Sequence, residues 1–169
     1  VVVGAGFIGI EMAENLRELG LDVSVAEMAD QVIQPLDYDM AQYAHRELNE
    51  KGVNLHLNDC VDFFTEKEHG VEVTLKSGTK LDADMVLLAI GVRPNGELAV
   101  DAGLKTNKRG GIVVDEYLQT SNQDIYAVGD VIEVKDLVTS APTMVPLAGP
   151  ANKQGRMAAD NICGAKLKY

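Results

Sequence analysis

Gly4-Ala5-Gly6-Phe7-Ile8-Gly9 is the first place where residue type and spacing together offer chemistry. The glycines follow a β-branched run, Val1-Val2-Val3, and precede Ile8, Met12, Leu16 and Leu19, spaced as one apolar face of a helix. In that setting Gly4 permits a sharp turn, Gly6 lets backbone approach a pyrophosphate, and Gly9 lets the helix pack closely on the sheet. The helix start, with Ile8 in its first turn, adds free N–H groups and a partial positive charge for phosphates. Glu27 ends a second strand, Asp22 to Glu27, at the spacing of an acid that accepts ribose hydroxyls. These features predict a dinucleotide site; a glycine turn that merely packs strand on helix is the alternative. A 2′-phosphate beside Glu27 would be repelled by about one to several kcal/mol, and Met28-Ala29-Asp30 offers no arginine to reverse that. The expectation is NAD(H) over NADP(H) by about tenfold or more.

A second constellation lies far downstream. Thr120-Ser121-Asn122-Gln123-Asp124 leads into an apolar run, Ile125 to Val128, that ends in Gly129-Asp130. Gly129 would allow close approach at a strand's C-terminal end, where ligands sit in parallel sheets. Asp130 would supply a fixed acceptor for a sugar-like hydroxyl, or simply cap the next turn.

The elements that must position these residues read as β-α-β-α-β at the start. Val1–Val3, Asp22–Glu27 and Val53–Leu57 are strands. Between the last two, a helix beginning near Pro35 and Asp37 repeats Met40, Ala44 and Leu48 and ends at Gly52. That order implies a parallel sheet with right-handed crossovers. Cys60–Thr65 and Val71–Leu75, with a turn at Lys76–Thr79 before Leu81, read as a small antiparallel meander. Met85–Ile90 is continuously apolar and fits a strand covered on both faces. After Arg93-Pro94-Asn95-Gly96 come a short helix, Glu97–Ala102, and a strand within Gly110–Val114. Ile125–Val128 reads as a buried strand, Ile132–Val145 as loop, and Pro146–Ile162 as one helix.

Composition narrows the classes. The 169 residues carry 15 Lys+Arg against 26 Asp+Glu, a formal net charge of −11. That balance argues against nucleic acid or an acidic membrane as partner. The longest apolar run falls far short of the ~20 residues a bilayer needs. Cys60 and Cys163 form no CxxC pair and read as small buried residues. His45, on what reads as a polar helix face, His56 and His69 have no metal-ligand spacing. A reducing, cytoplasmic setting is the default.

The segment from Thr120 to Asp130 resembles the second flavin-binding motif of the pyridine nucleotide–disulfide oxidoreductases, and the resemblance extends over essentially the whole chain. Ile90-Gly91-Val92-Arg93-Pro94-Asn95 is similar to the family's motif that closes the NAD domain and returns to the FAD domain. Gly111-Ile112-Val113-Val114-Asp115 is similar to the strand before the flavin motif. Pro146-Leu147-Ala148-Gly149-Pro150 resembles the helix start beside the flavin ring, where a helix dipole can stabilise reduced flavin. The resemblance implies an α/β fold: a Rossmann-like NAD(H)-binding domain over 1–92, then the second half of an FAD-binding domain over 93–165, with 166–169 starting a dimerisation domain. It implies that Gly129 and Asp130 meet the FAD ribitol. It also implies that Phe7 is the aromatic gate over the flavin and that Glu11 reaches the nicotinamide carboxamide. An ordinary aromatic at a helix start and a solvated helix carboxylate are the respective alternatives.

The words around Gln154-Gly155-Arg156 resemble the branch of CoA-disulfide reductases, NADH-dependent persulfide reductases and NADH oxidases or peroxidases. In that branch hydride passes from NADH to FAD, and electrons go on through a redox cysteine to a small disulfide, persulfide or oxidant, in a homodimer. Neither Cys60 nor Cys163 matches that cysteine, and no first FAD half is present. The expectation is therefore a piece of a longer protein that binds NAD(H), does not retain FAD alone, and is disordered or self-associating around Gly110–Val145 for want of strand neighbours. A non-catalytic NAD-sensing module and a ferredoxin or rubredoxin reductase are the competing readings.

Overall fold

Val2–Val3 (β1) lies at the centre of a parallel sheet that carries the glycine turn. The computed structural model describes all residues, 1–169. The chain divides into two compact units, Val1–Gly91 and Val92–Tyr169.

In the first unit β1 is followed by α1 (Phe7–Glu18), β2 (Ser24–Ala26), α2 (Tyr38–Glu50) and β3 (Asn54–His56). A meander follows, β4 (Val61–Glu66), β5 (Val71–Leu75) and β6 (Lys80–Ala83), and then β7 (Leu87–Leu88). The strand order β3-β2-β1-β7 is parallel throughout, with Val2 opposite Val25 on one side and Leu87 on the other. Val2, Val25, Val53, Ala13 and Leu48 make the core beneath the helices. The meander is antiparallel, and its Val73 and Leu75 pack with Ala26 of the parallel sheet.

Three expectations shift here. On α1 the buried residues are Gly9 and Ala13, while Ile8 and Leu19 are exposed. The helix meets the sheet along these small residues, which allow close approach, while Leu16 of the expected face and Ile10 beside it pack against the same core. On α2 the buried set is Ala41, His45 and Leu48; Met40 is exposed. His45 therefore lies on the inward face, not on a polar one. The Met85–Ile90 run is an edge, paired only through β7 to β1, and Met85, Leu88 and Ile90 are exposed rather than covered on both faces.

The second unit contains α3 (Glu97–Asp101), β8 (Ile112–Val113), β9 (Ile132–Lys135), β10 (Pro142–Thr143) and α4 (Ala148–Ile162). β9 pairs parallel with β8 and antiparallel with β10. Leu118, Ile132 and Ala158 form its core, with Tyr126, Ala127 and Val128 packed against them. The region 110–145 is thus an ordered sheet with turns, which overturns the expectation of disorder. Ile132–Val145, expected as loop, supplies a hairpin.

The strand expected at Ile125–Val128 does not form; the segment makes one bridge, Tyr126 to Gln119, and enters a 3₁₀ turn at Gly129–Val131. Its neighbour reverses at Leu118, whose φ is +68, so no continuous ladder can build. α4 begins at Ala148, two residues later than expected. Cys60 is half-buried and Cys163 exposed, so neither is the buried residue predicted.

Candidate functional site

The turn after β1 is shaped by what its glycines exclude. Gly4 has φ +96, and a Cβ there would lie 2.5 Å from the Ala89 carbonyl oxygen. A Cβ on Gly9 would run into the Gly4 carbonyl oxygen, so the start of α1 sits directly on the turn. Gly6 is the N-cap, in extended conformation, and nothing lies within 4 Å of where its Cβ would be. No side chain caps α1 and no acid stands in its first turn. The opening N–H groups of α1 are therefore left without a side-chain cap or a first-turn acid, the arrangement an anion needs.

Glu27, just past β2, closes the other side. Its Oε2 accepts the Ala5 N–H at 2.7 Å and its Oε1 accepts the Ala29 N–H at 2.9 Å. The Ala5 carbonyl in turn accepts the Ile33 N–H at 2.8 Å. Between turn and acid opens a cleft of about 620 Å³. Gly4, Gly6, Phe7, Glu27, Ile90 and Gly91 line it together. None of its lining residues is Lys or Arg, so backbone N–H groups are the cleft's source of positive potential. The residues present fit a dinucleotide: an open glycine at the helix start for the diphosphate, and a carboxylate with lone pairs to spare for a diol.

Ile8, Gly9 and Glu11 do not line the cleft. Ile8 is exposed, Gly9 is buried against the turn, and Glu11 faces solvent one turn along α1. Phe7, 59% exposed, stands at the cleft with its ring uncovered. Gln31, Gln34, Pro35 and Phe64 also line the cleft and were not anticipated. The first three follow Glu27 in an irregular loop with no periodicity, and Phe64 comes from the meander.

In the second unit Asp130 and Pro146 line a cavity of about 610 Å³ together with Arg93, Arg109 and Met144. Gly129, with φ +84, donates its N–H to Gln154 Oε1 at 2.7 Å, and Gln154 is almost fully buried. Leu147 is the N-cap of α4 and Ala148 its first residue, with no side-chain cap and no acid in the first turn. Those N–H groups and the Asp130 carboxylate fit part of a polar, hydroxyl-bearing cofactor. Gln154, which fixes the Gly129 turn, and Arg109 were not singled out beforehand; Gln154 lies in a recognised stretch, but its partner is remote in sequence.

Residues 1–155 match the family model described as pyridine nucleotide-disulphide oxidoreductase. The chain belongs to the pyridine nucleotide-disulphide oxidoreductase family. It is 46% identical to an NADH oxidase of Methanocaldococcus jannaschii over 99% of this chain and 37% of the relative. The crystal structure of reduced Bacillus anthracis CoADR-RHD aligns with a TM-score of 0.92 at 53% identity, covering 98% of this chain and 29% of that one. A NAD-dependent persulfide reductase from A. fulgidus aligns with a TM-score of 0.94 at 43% identity, over 99% of this chain and 31% of that one. The chain thus spans about a third of the length of these three proteins.

Proposed function

We propose that Val1–Val92 is the NADH-binding domain, and 93–165 the second half of the FAD-binding domain, of an NADH-dependent flavoprotein that reduces a small disulfide or persulfide. Bound NADH would supply hydride to FAD, and electrons would pass to a redox cysteine outside this chain. The observation that carries the reading is the uncapped start of α1 over Gly6, set in a cleft without a cation beside the Glu27 carboxylate. In it Gly4, Gly6 and Gly9 shape the turn and Phe7, Ile90 and Gly91 line the nicotinamide end; Glu11, exposed on α1 outside the cleft, would reach the nicotinamide carboxamide from there. Gly129, Asp130, Pro146, Leu147 and Ala148 form the flavin side.

The likeness to the A. fulgidus persulfide reductase and to the B. anthracis protein supports the persulfide or CoA-disulfide acceptor. Transfer to oxygen or peroxide is the second reading, favoured by the identity to the M. jannaschii NADH oxidase. The intact protein would be a homodimer on the resemblance, with 166–169 leading toward the dimerisation domain, and cytoplasmic on its cysteine usage; light scattering and cell fractionation check both.

Calorimetric titration tests the nucleotide site. NADH should bind, with NADPH weaker by about tenfold or more, since a 2′-phosphate would approach Glu27. Comparable dissociation constants would remove the preference. No heat with millimolar NADH, in a sample shown to be folded, would remove the site.

A further inference from the structure

The loop between β2 and α2 is pinned from beneath by a histidine that the dinucleotide site does not itself use. His45, in the middle of α2, is buried, and its Nε2 accepts the N–H of Val32, a residue with no solvent exposure, at 3.0 Å. The next residue, Ile33, has φ +48, a left-handed conformation that β-branched side chains rarely adopt. Ile33 donates its N–H to the Ala5 carbonyl at 2.8 Å, and the Ala5 N–H goes to Glu27. Both backbone groups of the residue between Gly4 and Gly6 are therefore held, one by the acid and one by this loop.

The geometry points to His45 as a positioning residue for nucleotide binding, fixing the glycine turn through Val32, Ile33 and Ala5. The inference rests on the dinucleotide reading of the cleft. Without the imidazole acceptor a buried N–H is orphaned, and the left-handed Ile33 loses the neighbour that holds it in place. The loop would then move to hydrate Val32, freeing the Ala5 carbonyl and displacing Gln31, Gln34 and Pro35 from the cleft wall.

The bond also has a protonation requirement. Nε2 can accept only in the neutral tautomer with its proton on Nδ1. Acid places a second N–H against that of Val32. Burial holds His45 below its ordinary 6.5, and the carboxylate of Asp30, in the same loop, opposes that shift. Its neighbours on the inward face of α2, Ala41, Ala44 and Leu48, and Leu55 on β3 carry no charge.

The test titrates NAD⁺, which survives acid, into the intact protein between about pH 7.5 and about pH 5. Wild type should lose affinity on acidification, by at least about twofold more than His45→Gln does. His45→Gln, which keeps an acceptor that does not titrate, should bind as wild type does at the upper pH and lose little of that affinity at the lower. His45→Leu should be weaker by roughly tenfold at both, with flavin content unchanged. A dissociation constant for His45→Leu within about twofold of wild type, or an acid loss in His45→Gln equal to wild type, overturns the inference. If His45→Leu does not fold, the comparison of His45→Gln with wild type decides. Failure of wild type to bind NAD⁺ at any pH overturns both this inference and the reading of the cleft; binding that is indifferent to His45 overturns this one alone.

Discussion

Glu27 Oε2 and the backbone N–H of Ala5, 2.7 Å apart, tie the end of the second strand to the centre of the glycine turn. The same carboxylate holds the Ala29 N–H through its other oxygen. A carboxylate offers about four lone-pair sites, so two remain for ribose hydroxyls while two keep the turn in shape. Acid and turn are thus one unit. Glu27→Gln replaces one acceptor by a donor facing a backbone N–H. Losing one charge-assisted bond, worth about 1.5–3 kcal/mol, should weaken NADH by about tenfold or more and shrink the discrimination against NADPH. Titration of the variant with both nucleotides checks this; wild-type affinity and preference would show that the clasp is idle.

Gly6 and Gly9 belong to one motif but should fail differently. Gly6→Ala places a methyl group in open space at an ordinary extended conformation, so folding should be untouched. That methyl occupies the approach of a diphosphate, and NADH affinity should fall by about tenfold or more with Tm unchanged. Gly9→Ala drives a methyl group into the Gly4 carbonyl. Overpacking of that kind costs about 1–3 kcal/mol, which should lower Tm by roughly 2–10 °C. Thermal denaturation and nucleotide titration on the two variants separate cradle from packing; equal Tm values would defeat the distinction.

The contrast shows why the turn could be read from sequence and other parts could not. The glycine requirement is local in the left-handed φ of Gly4 and in the Gly4 carbonyl that crowds Gly9, and the spacing carries both; the Ala89 carbonyl that crowds Gly4 is remote in sequence. The parallel sheet followed from the alternation of strand and helix. The phase of α2 did not, because His45 is polar by type and buried by position; its partner, Val32, lies in a loop with no period. Ile125–Val128 has the composition of a buried strand, yet a strand also needs a neighbour. The left-handed turn at Leu118, unmarked by any glycine, interrupts that neighbour. The loop residues Gln31 and Gln34 reach the cleft by tertiary placement, for which side-chain type gives no sign.

Gln154 carries a prediction of this non-local kind. Its Oε1 accepts the Gly129 N–H at 2.7 Å from inside the second unit's core, 1% exposed. Gln154→Leu keeps the volume and removes the acceptor, leaving a backbone N–H without a partner at a left-handed glycine. The cost should be about 1–3 kcal/mol, a fall in Tm of roughly 2–10 °C. If Asp130 holds FAD as proposed, the same variant of the intact protein should release FAD more readily, since Asp130 follows directly on that turn. Thermal unfolding and the flavin absorbance retained after dialysis are the measurements, and a variant with unchanged Tm and flavin content would refute the role.

The meander supplies a prediction about acid. Glu72 accepts from Lys80 Nζ at 2.8 Å and from Lys67 Nζ at 2.9 Å, and Lys67 also reaches Asp82 at 2.6 Å. The Lys80 hydrogen bond first, then that from Lys67, hold the Glu72 carboxyl below its usual 4.5. Around that pH the unfolded chain therefore binds more protons at this position than the folded one. The stabilisation is present above about pH 4.5 and is lost as the pH falls from there through the lower folded value. Glu72→Gln should lower Tm modestly at neutral pH and give a shallower fall in Tm on acidification than wild type. Because the lysines are exposed, about 1 M salt should erode the wild-type advantage in the same direction. Parallel acid slopes for variant and wild type, measured by thermal unfolding across this range, would mean that the two lysines leave the carboxylate's proton affinity as it is in the unfolded chain.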